Sequence, residues 1–123
     1  MELRGVNRIV VAVKDIEKSK RLYSEALGAT FHEANWTGEP FGIEVAISWD
    51  AGIELCAPMP GREGDSVVSP FLAQNGEGVM NVIFGVSDAG AAKQKAGGLF
   101  DRTRGAVACD RVTGSVYRSM YVL

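Results

Sequence analysis

The sequence predicts an α+β protein made of two β-α-β-β-β modules in a pseudo-twofold arrangement, the second module shortened. Three observations predict it. A strand-like run ends in an Asp that opens a helix, and a Gly closes that helix. Three further strand candidates follow in succession. The opening pattern then recurs 73 residues later, with Val11-Ala12-Val13-Lys14-Asp15 landing on Phe84-Gly85-Val86-Ser87-Asp88. The expected organisation is one domain over 1–123, with a first module over about 6–58, a connector over 59–78 and a second module over about 79–123.

Residues 8–15, RIVVAVKD, are rich in β-branched side chains and stop at Lys14-Asp15, which reads as a strand. Asp15 suits a helix N-cap, because its carboxylate can accept a backbone N–H of the first turn. Ile16, Tyr23 and Leu27 recur at helical spacing, with Leu22 beside them, and Gly28 supplies the stop. Ala29–Trp36, Phe41–Trp49 and Gly52–Pro58 read as strands, separated by the turn residues Gly38-Glu39-Pro40 and Asp50-Ala51-Gly52.

Pro60, Gly61, Gly64 and Pro70 mark Met59–Gly78 as a connector. Val79–Val86 is the next strand, and Asp88 can cap a helix from Ala89 to about Ala96, closed by Gly97-Gly98. Ala106–Cys109 and Val116–Val122 read as short strands.

The whole-chain totals exclude several classes. At 123 residues there is room for one hydrophobic core, and 46% hydrophobic with 23% charged residues is ordinary for a soluble globular protein. A net charge of −2 without any Lys/Arg cluster argues against nucleic acid as a partner. No apolar run approaches the roughly 20 residues of a membrane span. Charges fall in MELRGVNR where a secretory signal needs an apolar stretch, so the expected location is cytoplasmic. Cys56 and Cys109 form no CxxC pair, and neither a disulfide framework nor a zinc ribbon is expected.

Strand alternation sorts the side chains into faces. Ile9, Val11 and Val13 form one face of the first strand, suited to the helix face of Ile16, Tyr23 and Leu27, while Arg8, Val10 and Ala12 face the other way. In Gly52–Pro58, Ile53, Leu55 and Ala57 share one face, Glu54 and Cys56 the other. Shifting Arg8 by 73 gives Asn81, so Arg8, Glu54 and Asn81 stand as polar residues inside apolar strands. A buried polar group costs free energy unless it is paired or wet, and a shared polar cleft accounts for all three.

RIVVAVKDIEKSKRLYSEALGA resembles the opening strand and helix of the glyoxalase / bleomycin-resistance / extradiol-dioxygenase (vicinal oxygen chelate) superfamily, and GIELCAPM resembles its fourth strand. SVVSPFLAQNGEGVMNVIFGVSD is similar to the linker and fifth strand of the methylmalonyl-CoA epimerase branch. The resemblance implies two modules folded into a half-barrel cleft. Many members hold a divalent metal there with two His and two Glu or Gln. In this chain the first-strand His position matches Arg8, the fifth-strand His position Asn81 and the fourth-strand carboxylate position Glu54. The last ligand position falls near Ser119 or Tyr121 if the second module is compressed, or is lost if its final strand is missing.

No metal, no cofactor and no catalytic residue are therefore expected. Arg8 has only donors to offer, as an anion clamp or as a partner to Glu54. The expected ligand-binding cleft comprises Arg8, Glu54, Asn81, Cys56, Trp49 and Tyr121. His32, the lone histidine, reads as solvated or satisfied. The leading function is metal-free sequestration of a small organic molecule, as in bleomycin-resistance proteins. The alternatives are a metal-dependent epimerase, lyase or dioxygenase relative with altered ligands, and a non-catalytic accessory subunit. A homodimer is expected, because a shortened second module leaves more strand edge and the chain ends on Met120-Tyr121-Val122-Leu123.

Overall fold

The computed structural model describes residues 2–88, 90–92 and 94–95, together with the backbone of strands 107–110 and 117–122. The elements run β1 (Leu3–Ala12), α1 (Ile16–Leu27), β2 (His32–Glu33), α2 (Asn35–Gly38), a 3-10 turn (Glu39–Phe41), β3 (Ile43–Ser48), β4 (Ile53–Pro58), α3 (Ser69–Asn75), β5 (Gly78–Val86), β6 (Val107–Asp110) and β7 (Tyr117–Val122). Helical backbone at 90–92 and 94–95 stands between β5 and β6. The order is therefore β-α-β-β-β followed by a shorter β-α-β-β.

Two compact units divide the chain, Val10–Met80 and Met1–Ile9 with Asn81–Leu123. The division cuts β1 and spares the connector. In the first unit the strand order is β2-β3-β4-β1, and in the second it is β1-β5-β7-β6. β7 thus stands beside β5 as β4 stands beside β1. Among the described residues, the second module is compressed, and it lacks a counterpart of the outer strand β2.

In the Val10–Met80 unit, α1 starts where Asp15 Oδ1 accepts the Lys18 N–H at 3.0 Å. It ends at Gly28, whose φ of 74° is a left-handed conformation that side chains other than glycine resist. β3 and β4 pair antiparallel, with Ala46 opposite Leu55 and Ile47 opposite Glu54. Glu17, Asp15 and Lys20 act electrostatically on Glu44, so the Glu44, Ala46, Leu55 and Ala57 face of this pair is the one beneath α1. Val45, Ile47, Glu54 and Cys56 point away from α1. Both faces of β4 are buried, Ile53, Leu55 and Ala57 at 7%, 0% and 1% exposure on one and Glu54 and Cys56 at 7% and 3% on the other.

Three local expectations are corrected. The strand expected over Ala29–Trp36 is only the two-residue β2, and the chain turns into α2 at Asn35. Asn35 Oδ1 accepts the Val45 N–H at 2.8 Å, and Thr37 Oγ1 donates to the Ala34 carbonyl at 2.7 Å. The Asn35 bond completes the outer edge of β3 at Val45 by a side chain instead of a ladder. Gly38 lets α2 seat on that strand, since a Cβ there would stand 2.7 Å from Val45 Cγ2. The connector holds α3, which Pro70 opens in its first turn and Gly76 closes. On α1 only Ile16 is buried; Tyr23 is half-buried beside Phe31, while Leu22 and Leu27 are 62% and 68% exposed. Leu27 shares the helical phase of Ile16, but it stands at the end of α1, where its side chain stays open to solvent.

In the other unit, β5 and β7 pair antiparallel with Ile83 opposite Tyr121, and β6 and β7 pair with Ala108 opposite Ser119. Leu123, Ala89 and the Gly97-Gly98 stop lie outside the described residues.

Candidate functional site

Arg8 sits in β1 between half-buried Asn7 and Ile9, in phase with Val10 and Ala12. Its side chain is 2% exposed. The guanidinium Nη1 donates to Asn7 Oδ1 at 2.7 Å. An arginine is charged at any pH a protein survives, so this strand carries a permanent cation out of water. Asn7 is a member of the polar group that sequence reasoning missed, because an Asn beside an Arg carries no periodic signal.

Asn81 lies in β5 of the same unit, half-buried, and alternates in phase with Ile83, which is fully buried. The 73-residue shift therefore holds at the level of burial: Arg8 and Asn81 each head a face that continues into core residues. Tyr121 is in β7, paired with Ile83, and its side chain lies outside the described residues.

In the Val10–Met80 unit, β4 carries Glu54 at 7% exposure and Cys56 at 3% on the face turned away from α1. β3 sets Ile47 opposite Glu54 and Val45 opposite Cys56, so the carboxylate and the thiol are flanked by branched aliphatic side chains. Trp49 is half-buried at the start of the β3–β4 turn. Asp50 organises that turn by accepting Ser48 Oγ at 2.5 Å and the Thr30 N–H at 3.2 Å. Those bonds hold the Asp50 carboxyl below its ordinary range. His32 pairs with Ile47 at the sheet edge and is exposed, as expected of a solvated histidine.

The donor set does not suit a divalent metal. At the positions matched by resemblance stand a guanidinium, an amide and one carboxylate, whereas such sites use imidazoles and several carboxylates. Among the described residues, no group of three or more His, Cys, Asp or Glu side chains is placed to hold a metal ion. What the polar residues can do is donate hydrogen bonds from Arg8 and Asn81 and accept them at Glu54.

Comparison with known proteins places these residues in a wider context. A family model described as Glyoxalase/Bleomycin resistance protein/Dioxygenase superfamily matches residues 5–112. Streptomyces coelicolor methylmalonyl-CoA epimerase, solved in complex with 2-nitronate-propionyl-CoA, is 30% identical, with a TM-score of 0.64 over 85% of this chain and 81% of that one. Methylmalonyl-CoA epimerase from Mycobacterium tuberculosis is 23% identical, with a TM-score of 0.69 over 98% of this chain and 79% of that one. A hypothetical protein from Bacillus halodurans shares the fold at 18% identity and a TM-score of 0.69, over 94% and 82% of the two chains. A search of curated proteins returned no match. No helix among the described residues is long and apolar enough to cross a membrane.

Proposed function

We propose that this chain, which belongs to the Glyoxalase/Bleomycin resistance protein/Dioxygenase superfamily, binds a small organic ligand without a divalent metal and sequesters it. The observation that carries the reading is Arg8, a buried cation at the place where the superfamily resemblance expects a metal-binding imidazole. A guanidinium cannot ligate a metal, but its fork of donors matches a carboxylate or an enolate-like oxygen. The ligand class is an organic molecule with a carboxylate or polarised carbonyl. Arg8 and Asn81 donate to it in this reading. A cytoplasmic setting belongs to the same reading.

A second reading, turnover of an acyl-CoA ester, is favoured by the 30% identity to an epimerase solved with a CoA compound. There Glu54, at 7% exposure in β4, is the candidate base.

The experiment uses the full chain purified without a histidine tag, with methylmalonyl-CoA as the probe. Metal analysis is expected to find no stoichiometric zinc, iron, manganese, nickel or cobalt, and titration calorimetry is expected to show binding. Arg8→Met should keep the circular-dichroism spectrum and weaken that binding at least roughly tenfold, the scale for losing a buried charged hydrogen bond. A stoichiometric metal overturns the reading. Deuterium uptake at the α-carbon of the probe in heavy water transfers the case to the second reading.

A further inference from the structure

Asn75 is the one asparagine of the four in the chain that is followed by glycine, and it stands at the last position of α3. It is exposed. The carbon of an asparagine amide is an electrophile within reach of the backbone nitrogen that follows it, and the next side chain is what obstructs the approach. Gly76 has none. Asn7, Asn35 and Asn81 are followed by Arg8, Trp36 and Val82, whose side chains crowd the same path. Asn7 and Asn35 also hold their Oδ1 atoms in hydrogen bonds, from Arg8 Nη1 at 2.7 Å and from the Val45 N–H at 2.8 Å.

The closed form of α3 restrains both reacting groups. The Gly76 N–H donates to the Leu72 carbonyl at 2.9 Å, so the nucleophile is engaged as the helix C-cap. Asn75 Nδ2 donates to the Phe71 carbonyl at 3.2 Å, so the leaving group is engaged too. Both bonds belong to the final turn, and opening that turn releases them together. The turn is weakly held, because α3 is seven residues long and has no side-chain hydrogen bond at its N-cap. Helices this short depend on packing, and no residue of α3 is buried. Segments of that kind open locally without unfolding the rest of the chain.

We propose that Asn75 is a site of spontaneous deamidation, gated by the last turn of α3. In the open turn the Gly76 nitrogen gives its proton to hydroxide and attacks Asn75 Cγ. The new N–Cγ bond closes a succinimide ring, and the Cγ–Nδ2 bond breaks as the nitrogen takes a proton from water and leaves as ammonia. Water then adds to either ring carbonyl and opens the ring, giving aspartate by one route and isoaspartate by the other. Nothing is oxidised or reduced, and water is the only co-reactant. Either product sets a carboxylate at the C-terminal end of α3, where the helix carbonyls disfavour negative charge. Isoaspartate also lengthens the backbone by one carbon, so Gly76 loses its register with Leu72. The next residue, Glu77, accepts the Lys14 N–H at 3.0 Å, which carries the change to the turn that enters α1. The site does not depend on the ligand reading.

Incubating the full chain at mildly alkaline pH, then mapping it with an acid-active protease and mass spectrometry, tests the site. The peptide holding Asn75 should gain the mass of an amide-to-acid exchange, while those holding Asn7, Asn35 and Asn81 stay unchanged over the same interval. The rate should rise in proportion to hydroxide. Asn75→Gln should abolish the gain in that peptide, because the larger ring it requires closes far more slowly. Ala73→Gly, an exposed change in the middle of α3, should speed the gain roughly fivefold, the factor by which glycine weakens a helix interior relative to alanine. No gain at Asn75, or a gain shared equally by the four asparagines, overturns the proposal. A rate at Asn75 that Ala73→Gly leaves unchanged overturns the gate.

Discussion

Glu44 lies on β3 beneath α1, half-buried, where burial first and then the carboxylates of Glu17, Asp15 and Glu33 push its carboxyl above the ordinary value near 4.5. Lys20 opposes them, but it is engaged with Glu17 at 3.2 Å. A carboxyl raised on folding stabilises the native state below its unfolded value. That contribution is lost as pH climbs through the folded one. Glu44→Gln removes the charge at neutral pH and keeps the shape. It should raise the urea midpoint at pH 7 by the equivalent of about half a kcal/mol, after allowance for solvent screening. The gain should vanish near pH 4, where the wild-type carboxyl is itself protonated. An equal gain at both pH values would show that packing, not charge, is responsible.

Helices and strands in this chain start and stop for identifiable reasons, and the least regular of them is the edge between β2 and β3. A two-residue strand leaves most of β3 without a ladder partner on that side. Asn35 supplies the missing acceptor to Val45, and the Ala34 N–H donates to the Val45 carbonyl at 2.8 Å. Both backbone groups of Val45 are satisfied by a helix entrance, so the edge cannot extend by adding another chain there. Asn35→Ala leaves the Val45 N–H, beside a side chain only 2% exposed, without its acceptor. The expected cost is about 1–3 kcal/mol in urea unfolding. Asn35→Asp, which keeps the accepting oxygen, should recover most of it. A loss of the same size in both variants would assign the effect to the α2 backbone instead.

At the scale of the whole molecule, the large side chains that are fully buried among the described residues include Ile47, Leu55, Ile83, Val10 and Val68. Leu55 shows the consequence most directly, since it is at 0% exposure on the face of β4 beneath α1. Leu55→Ala should cost about 2–5 kcal/mol, the range for a buried leucine whose cavity only partly collapses. It should lower the denaturant midpoint without changing the slope. A slope change would mean that the Val10–Met80 unit unfolds separately from the rest of the chain.

The sequence by itself determined what depends on neighbours a few residues apart. Asp15 and Gly28 bound α1 within a residue of expectation, because a cap is a local hydrogen bond and a positive φ is a local torsion. The alternation of Leu55 against Glu54 and Cys56 was legible for the same reason, since period two is a property of one strand. So was the 73-residue echo that sets Asn81 in phase with Ile83 as Arg8 is with Val10. Only the tertiary structure decided what rests on distant partners. β2 shrank to His32–Glu33 because Val45, ten residues on from Asn35, takes that side chain as its acceptor. Leu22 and Leu27, apolar and at or near helical phase, stayed in solvent because periodicity says which side chains can share a face and not how far the sheet beneath extends. That Arg8 is a buried cation was decided only once its neighbours were in place, because burial is a property of everything that packs around a side chain.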